Sequence, residues 1–113
     1  MRNSRTFELR TYHTHPGKLG DLLARFRDHT TSLFEKHGME NIGYFVPTDG
    51  EAAQNTLVYL LGYPSREAAT ASWAAFKADP EWIAVKARSE ENGPIVDHLE
   101  SVFLDPTDFS DLR

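Results

Sequence analysis

No cysteine occurs in the 113 residues. That absence excludes a disulfide framework, a thiolate nucleophile and a cysteine-ligated metal site, and makes a reducing cytoplasm the expected setting. Clustered basic charge is missing as well. The 12 Lys and Arg are outnumbered by 17 Asp and Glu, giving a formal charge of −5, and the basic residues are scattered. Recognition of a phosphate backbone depends on such clusters, so no nucleic-acid partner is expected. No apolar run approaches the ~20 residues of a bilayer-spanning helix, so no membrane partner is expected either. The segment from Met1 to Thr6 carries two Arg and no acid, but it is too short for a signal or transit peptide. The chain is read as soluble and unprocessed. Gly17 and Gly20 belong to no Walker or dinucleotide pattern, and no Gly-x-Ser-x-Gly elbow is present for a serine hydrolase.

What is present is a globular composition, 40% hydrophobic and 12% aromatic, in a length that suits one domain over 1–113 with its own core. Phe7-Glu8-Leu9-Arg10-Thr11-Tyr12 alternates apolar and polar, the mark of a strand with two different faces. Phe7 and Leu9 point one way, and Glu8, Arg10 and Tyr12 the other. An acid, a guanidinium and a phenol in one row form a solvated surface, a subunit interface or a pocket wall.

His15-Pro16-Gly17 breaks the extended pattern. Leu19, Leu22, Leu23, Phe26, Leu33 and Phe34 then recur at helical steps as one apolar stripe. Lys18, Asp21, Arg25, Asp28 and Glu35 read as its solvated face. Gly38 suits the left-handed position after a helix. A second strand is expected from Met39 to Val46, with Ile42, Tyr44 and Val46 on one side. Pro47-Thr48-Asp49-Gly50 reads as a loop. Thr56 to Tyr63, the most apolar stretch, reads as a central strand. Ser65 is a fitting N-cap for a helix that buries Ala69, Trp73 and Phe76. Asp79-Pro80 restarts a further helix with Trp82 and Val85 inward, and Asn92-Gly93-Pro94 ends it. A fourth strand follows from Ile95 to Leu104, with Ile95, Leu99 and Phe103 opposite Val96, Val102 and Leu104. The tail keeps Phe109 as a candidate anchor.

The order is β-α-β-β-α-β, an α+β fold of ferredoxin-like pattern with a four-stranded antiparallel sheet. Helices cover one face of such a sheet and leave the other bare. The third and fourth strands are apolar on both sides, so the bare face is expected to pair with a second copy as a homodimer.

Five segments stand out in order: Phe7-Glu8-Leu9-Arg10-Thr11-Tyr12, Leu33-Phe34-Glu35-Lys36-His37-Gly38, Ile42-Gly43-Tyr44-Phe45, Trp73-Ala74-Ala75-Phe76 with Asp79-Pro80-Glu81-Trp82, and Leu104-Asp105-Pro106-Thr107-Asp108-Phe109-Ser110. On these the chain resembles the NIPSNAP family within the dimeric α/β-barrel superfamily. The resemblance implies a ferredoxin-like subunit whose sheet dimerises into an α/β barrel. The superfamily includes cofactor-free monooxygenases, haem-handling proteins, lactone isomerases and non-catalytic dimers, so the fold alone selects no reaction.

Arg10 and Tyr12 are candidates for contact with an anionic or enolic ligand, since Arg offers a planar fork and Tyr donates or accepts a proton. The competing reading makes Glu8, Arg10 and Tyr12 a polar barrel or interface row that fixes register. His29, His37, Tyr59, Trp73, Phe76 and Trp82 complete the candidate ligand-binding set, as an aromatic cleft between helices and sheet; aromatics at helical spacing are also ordinary core. His13 and His15, two apart at a strand end, could both reach one ion with His98 as a third ligand, but no His-x-x-x-His or Glu-x-x-His motif supports such a site, and neither metal nor cofactor is expected. Three functions remain open: a small-molecule-binding homodimer, a cofactor-free oxygenase or isomerase acting on a phenol or enol, and a non-catalytic structural or protein-interaction dimer.

Overall fold

The computed structural model describes residues 5–113; of the basic amino-terminal segment, residues 1–4 lie outside the described residues. Strand β1 (Thr6–Thr14) is followed by a helical run made of α1 (Leu19–Arg25), a π-helical turn (Phe26–Thr30) and α2 (Thr31–Lys36). Then come β2 (Glu40–Phe45), a short helix α3 (Ala52–Asn55), β3 (Thr56–Tyr63), α4 (Arg66–Ala78), α5 (Pro80–Ser89) and β4 (Val96–Leu104). The sheet order is β2-β3-β1-β4, and every pairing is antiparallel. This is the expected ferredoxin-like α+β topology, with the apolar β3 in a central position. No helix among the described residues is long and apolar enough to cross a membrane.

Local chemistry explains the element ends. Ser65 Oγ accepts from the Ala68 N–H at 3.0 Å and starts α4, and Asp79 Oδ1 accepts from the Glu81 N–H at 2.8 Å and starts α5 with Pro80 in its first turn. At the end of α2, Gly38 has φ +81°. The Met39 N–H bonds back to the Phe34 carbonyl at 2.9 Å and the Gly38 N–H to that of Glu35 at 3.0 Å, the paired closure that favours glycine there.

Several particulars differ from the sequence reading. The first helix contains a π turn: the Thr31 N–H reaches the Phe26 carbonyl, and Thr30 and Thr31 hydroxyls bond to carbonyls five residues back. Arg25, expected on the solvated face, is only 6% exposed, because α5 packs over it. The loop before β3 contains α3. In β2 the register shifts between Asn41 and Gly43. Tyr44 therefore pairs with Tyr59 on the helix-covered face, while Ile42 Cδ1 lies 3.4 Å from where a Cβ on Gly62 would sit, on the other face; the bulge separates two residues expected together. Val46 lies beyond the strand and is exposed. A second register shift, opposite Thr14, places Val96 beside Leu99 in the same cleft wall and not with Val102 and Leu104. Phe109 is 83% exposed and anchors nothing.

The core lies between the helices and one sheet face, and is built from Leu22, Phe26, Leu33, Phe34, Tyr59 and Phe76 with their neighbours. On the opposite face β1 pairs Leu9 with Leu60 of β3 and with Val102 of β4. Phe45, Val102 and Leu104 are exposed there. Pro106, Thr107, Ser110 and Leu112 of the tail border Phe7 at one end of this face.

Candidate functional site

The polar row of β1 lies on the helix-covered face. Alternation sends Phe7 and Leu9 to the bare side, so Glu8, Arg10 and Tyr12 must turn beneath the helices. There they meet two tyrosines from β3 and one tryptophan from α4. Arg10 Nη1 donates to Glu8 Oε2 at 2.7 Å, its Nε to Tyr59 Oη at 2.9 Å and its Nη2 to Tyr12 Oη at 3.0 Å. Tyr63 donates to Glu8 Oε1 at 2.6 Å and Trp73 Nε1 to the same oxygen at 2.9 Å. Ser101 of β4 donates to Glu8 Oε2.

Glu8 is the hub of this network and is 2% exposed. Burial alone would raise its carboxyl pKa, but the hydrogen bonds from Ser101, Tyr63 and Arg10, with the Arg10 charge, outweigh burial and hold it below the ordinary value. Burial likewise opposes the Arg10 charge, yet Tyr59, Tyr12 and Glu8 together raise its pKa. The Tyr59 and Tyr63 phenols are pushed up, chiefly by burial. At neutral pH the network therefore holds an ionised carboxylate and guanidinium beside the neutral phenols of Tyr59 and Tyr63.

Above this floor opens a cleft of about 750 Å³ between the sheet, α4 and α5. Arg10, Tyr12, Trp73, Phe76 and Trp82 line it together. Tyr59 sits directly behind them, wholly buried and bonded to both Arg10 and Tyr12. The Arg10 guanidinium lies 4.2 Å from the Trp73 ring centre, and that of Arg25 lies 5.2 Å from the Trp82 ring centre; cations over aromatic faces attract electrostatically. The remaining two candidates lie elsewhere. His37 Nε2 is 2.7 Å from Asp79 Oδ2 at the start of α5, where Lys36 Nζ also bonds at 2.8 Å; these bonds hold the Asp79 carboxyl below its usual range. His29 borders a separate groove with Asp28 and Arg88.

Arg25, Lys77 and Lys86 also line the cleft and were not singled out from the sequence. Arg25 had a visible signal, standing three residues after Leu22 and one before Phe26, at the margin of the apolar stripe. Ser101 had one too, as the polar residue between Leu99 and Phe103 on the alternating face of β4. The Lys residues of α4 and α5 had none. His13 and His98 stack at 4.3 Å between ring centres, with His13 near Glu100 and His98 near Asp97. Among the described residues no three His, Asp or Glu side chains are placed to hold a metal.

The NIPSNAP family model matches residues 7–111. The chain belongs to the NIPSNAP family. Solved NIPSNAP structures share its shape. A NIPSNAP family protein of unknown function from Agrobacterium tumefaciens, Atu4242, superposes with a TM-score of 0.83 at 23% identity, covering 100% of this chain and 97% of that one. A second NIPSNAP family protein from the same organism, Atu5224, gives 0.83 at 27% identity, covering 96% and 99%. SnoaB, a cofactor-independent oxygenase from Streptomyces nogalater, gives 0.60 at 10% identity, covering 93% and 95%; that likeness concerns the fold of this NIPSNAP chain alone. No curated protein matches in sequence.

Proposed function

We propose that this NIPSNAP protein binds a small, partly apolar, aromatic molecule in the cleft between its helices and sheet. The observation that carries the reading is the cleft's composition. Three aromatic side chains, Trp73, Phe76 and Trp82, share it with two polar groups at its floor, Arg10 and Tyr12. Binding sites combine such apolar walls with a few placed polar groups. The volume, about 750 Å³, lies in the range of small-molecule pockets. The working unit is a homodimer, in which Phe45, Val102 and Leu104 on the bare sheet face are covered by a second copy. Residues 1–113 act as one such domain in the cytoplasm.

The test is a thermal-shift screen of flat aromatic acids, phenols and amides, followed by titration of the hits. Both tryptophans of the chain line the cleft, so intrinsic fluorescence reads occupancy directly. Hits should raise the melting temperature, and Trp82→Ala should weaken them at least tenfold. Hits indifferent to Trp82→Ala, or an empty screen, would refute the assignment.

The second reading is a cofactor-free oxygenase or isomerase acting on a phenol or enol in the same cleft. It is supported by the tyrosine hydroxyl that meets the cleft beside a fixed guanidinium. Oxygen uptake with phenolic hits, lost in Tyr12→Phe, would support catalysis; hits that bind without turnover would leave a binding protein.

A further inference from the structure

The hydrogen-bond order in the polar network leaves one proton unspent, and its position specifies the ligand. Tyr59 is wholly buried. Its hydroxyl oxygen accepts from Arg10 Nε at 2.9 Å, and its own proton has Tyr12 Oη, also at 2.9 Å, as acceptor. A buried hydroxyl proton without a partner is costly, so Tyr59 donates to Tyr12 and not the reverse. Tyr12 Oη also accepts from Arg10 Nη2 at 3.0 Å. Both of its lone pairs are then occupied, and the Tyr12 proton is left for the cleft that Tyr12 lines. Arg10 has five N–H groups; three are engaged with Glu8, Tyr59 and Tyr12. Two donors on neighbouring atoms, Tyr12 Oη and Arg10 Nη2, thus stand 3.0 Å apart at the floor of the cleft, a separation that suits the two oxygens of one carboxylate.

Charge points the same way. The protein carries −5 overall, yet the cleft is lined by Arg10, Arg25, Lys77 and Lys86 against a single carboxylate, Glu90. Glu90 is already committed to Arg25 at 3.3 Å. Glu8, the acid beneath Arg10, has four donors of its own and offers nothing to the cleft. With Arg25 paired to Glu90 and Arg10 to Glu8, Lys77 and Lys86 leave the lining net positive, and a concave site of net positive charge concentrates anions.

We infer that the ligand of this cleft is an aromatic carboxylate, its carboxylate received by the Tyr12 hydroxyl and Arg10 and its ring by the Trp73, Phe76 and Trp82 wall. The inference rests on the cleft being a binding site, and the experiment separates the two ideas. The full chain is titrated by calorimetry at pH 7 with naphthoate, with the neutral isostere naphthamide, and with dinitronaphtholate, an anion whose ionised group is a ring hydroxyl and not a carboxyl. Naphthoate should bind about tenfold or more tightly than naphthamide, the step expected of charge-assisted hydrogen bonds. Tyr12→Phe should bring that ratio down severalfold, and Arg10→Lys should do the same while keeping the charge, with circular dichroism confirming that each variant is folded. Equal binding of naphthoate and naphthamide would overturn the carboxylate and leave the cleft as a neutral aromatic site. Tighter binding of dinitronaphtholate than of naphthoate would overturn it in favour of a phenolate. A naphthoate preference unchanged in both variants would place the carboxylate elsewhere and refute the assignment. Binding of none of the three would refute the cleft reading itself, and this inference with it.

Discussion

Replacing Glu8 by glutamine tests the network that forms the floor of the cleft. Four donors, from Arg10, Tyr63, Trp73 and Ser101, converge on its two carboxylate oxygens. Glutamine has one acceptor oxygen and turns an NH₂ group toward the remaining donors. The Arg10 guanidinium would keep its charge but lose its counter-ion, with side chains only 12% and 3% exposed at the pair. Removing one partner of a buried ion pair costs about 3–5 kcal/mol. For a domain of this size that corresponds to a fall in melting temperature of roughly 12–20 °C.

The pH dependence gives a sharper criterion. Because the native Glu8 pKa is lowered, the unfolded chain binds more protons at this site than the native one as the medium is acidified. The stability that Glu8 supplies is therefore complete above its unfolded pKa of about 4.3 and is lost as the pH falls through its lower native value. Urea unfolding of wild type and Glu8→Gln, followed by circular dichroism, should show a gap that is flat from neutrality down to about pH 5 and narrows below that. The double variant Glu8→Gln with Arg10→Met should recover part of the loss, since it removes the stranded cation. A single variant within about 1 kcal/mol of wild type at pH 7, or a gap that widens in acid, would refute this account.

Three further outcomes follow from other parts of the molecule. Arg25→Met should change stability by less than about 1 kcal/mol in chemical unfolding, because Glu90 has 26% exposure through which to rehydrate and the Arg25 Nε is buried without a partner; a loss above about 3 kcal/mol would show Arg25 to be a structural keystone. Gly38→Ala should cost about 1–2 kcal/mol, since a Cβ opposes the positive φ there. Its nearest neighbour, Ser72 Oγ at 3.6 Å, leaves room, so a much larger loss would contradict a purely conformational cause. Val102→Lys with Leu104→Lys should yield a monomer in sedimentation velocity while preserving the circular dichroism spectrum, and a wild-type protein that sediments as a monomer at every concentration would remove the homodimer.

The element order was legible because each helix and strand carries its own local signal. Ser65, the Asp79-Pro80 pair and Gly38 mark ends through backbone chemistry that needs no tertiary partner, and β3 marks itself as central by being apolar on both sides. What was not legible depends on packing. The π turn at Phe26–Thr30 follows from how the helix seats on the sheet. The bulges that divide Ile42 from Tyr44 and move Val96 beside Leu99 change the face of a residue without changing its type. Arg25 looked solvated because helical periodicity says nothing of a neighbouring helix laid across the polar margin. Residue type and face picked out Arg10, Tyr12, Trp73, Phe76 and Trp82, which the structure gathers along one cleft, and Tyr59 behind them. His29 and His37 were placed by proximity to an apolar stripe, which two helix faces share.

The alternating row of β1 admitted a structural reading and a ligand reading, and under the proposed function both hold, at different residues of one strand. At Glu8 every acceptor site is filled by protein donors and solvent has no access, so this residue has nothing left to offer a ligand; its removal should appear as lost stability. Two residues on, Arg10 is shared: three N–H groups hold the network and the rest do not. Two residues further, Tyr12 accepts from Arg10 and Tyr59, at the point where the sheet meets the cleft. Under the proposed function, access for a ligand rises with each two-residue step of about six ångströms, as fewer groups of the side chain are held by the protein. A consequence follows for any variant series. Substitutions at Glu8 should move the unfolding midpoint far more than ligand affinity per folded molecule, and Tyr12→Phe should do the reverse. Fluorescence titration paired with urea unfolding on the same samples separates them; a Tyr12→Phe protein that loses stability on the scale of Glu8→Gln but binds as wild type would place the whole row in the structural role.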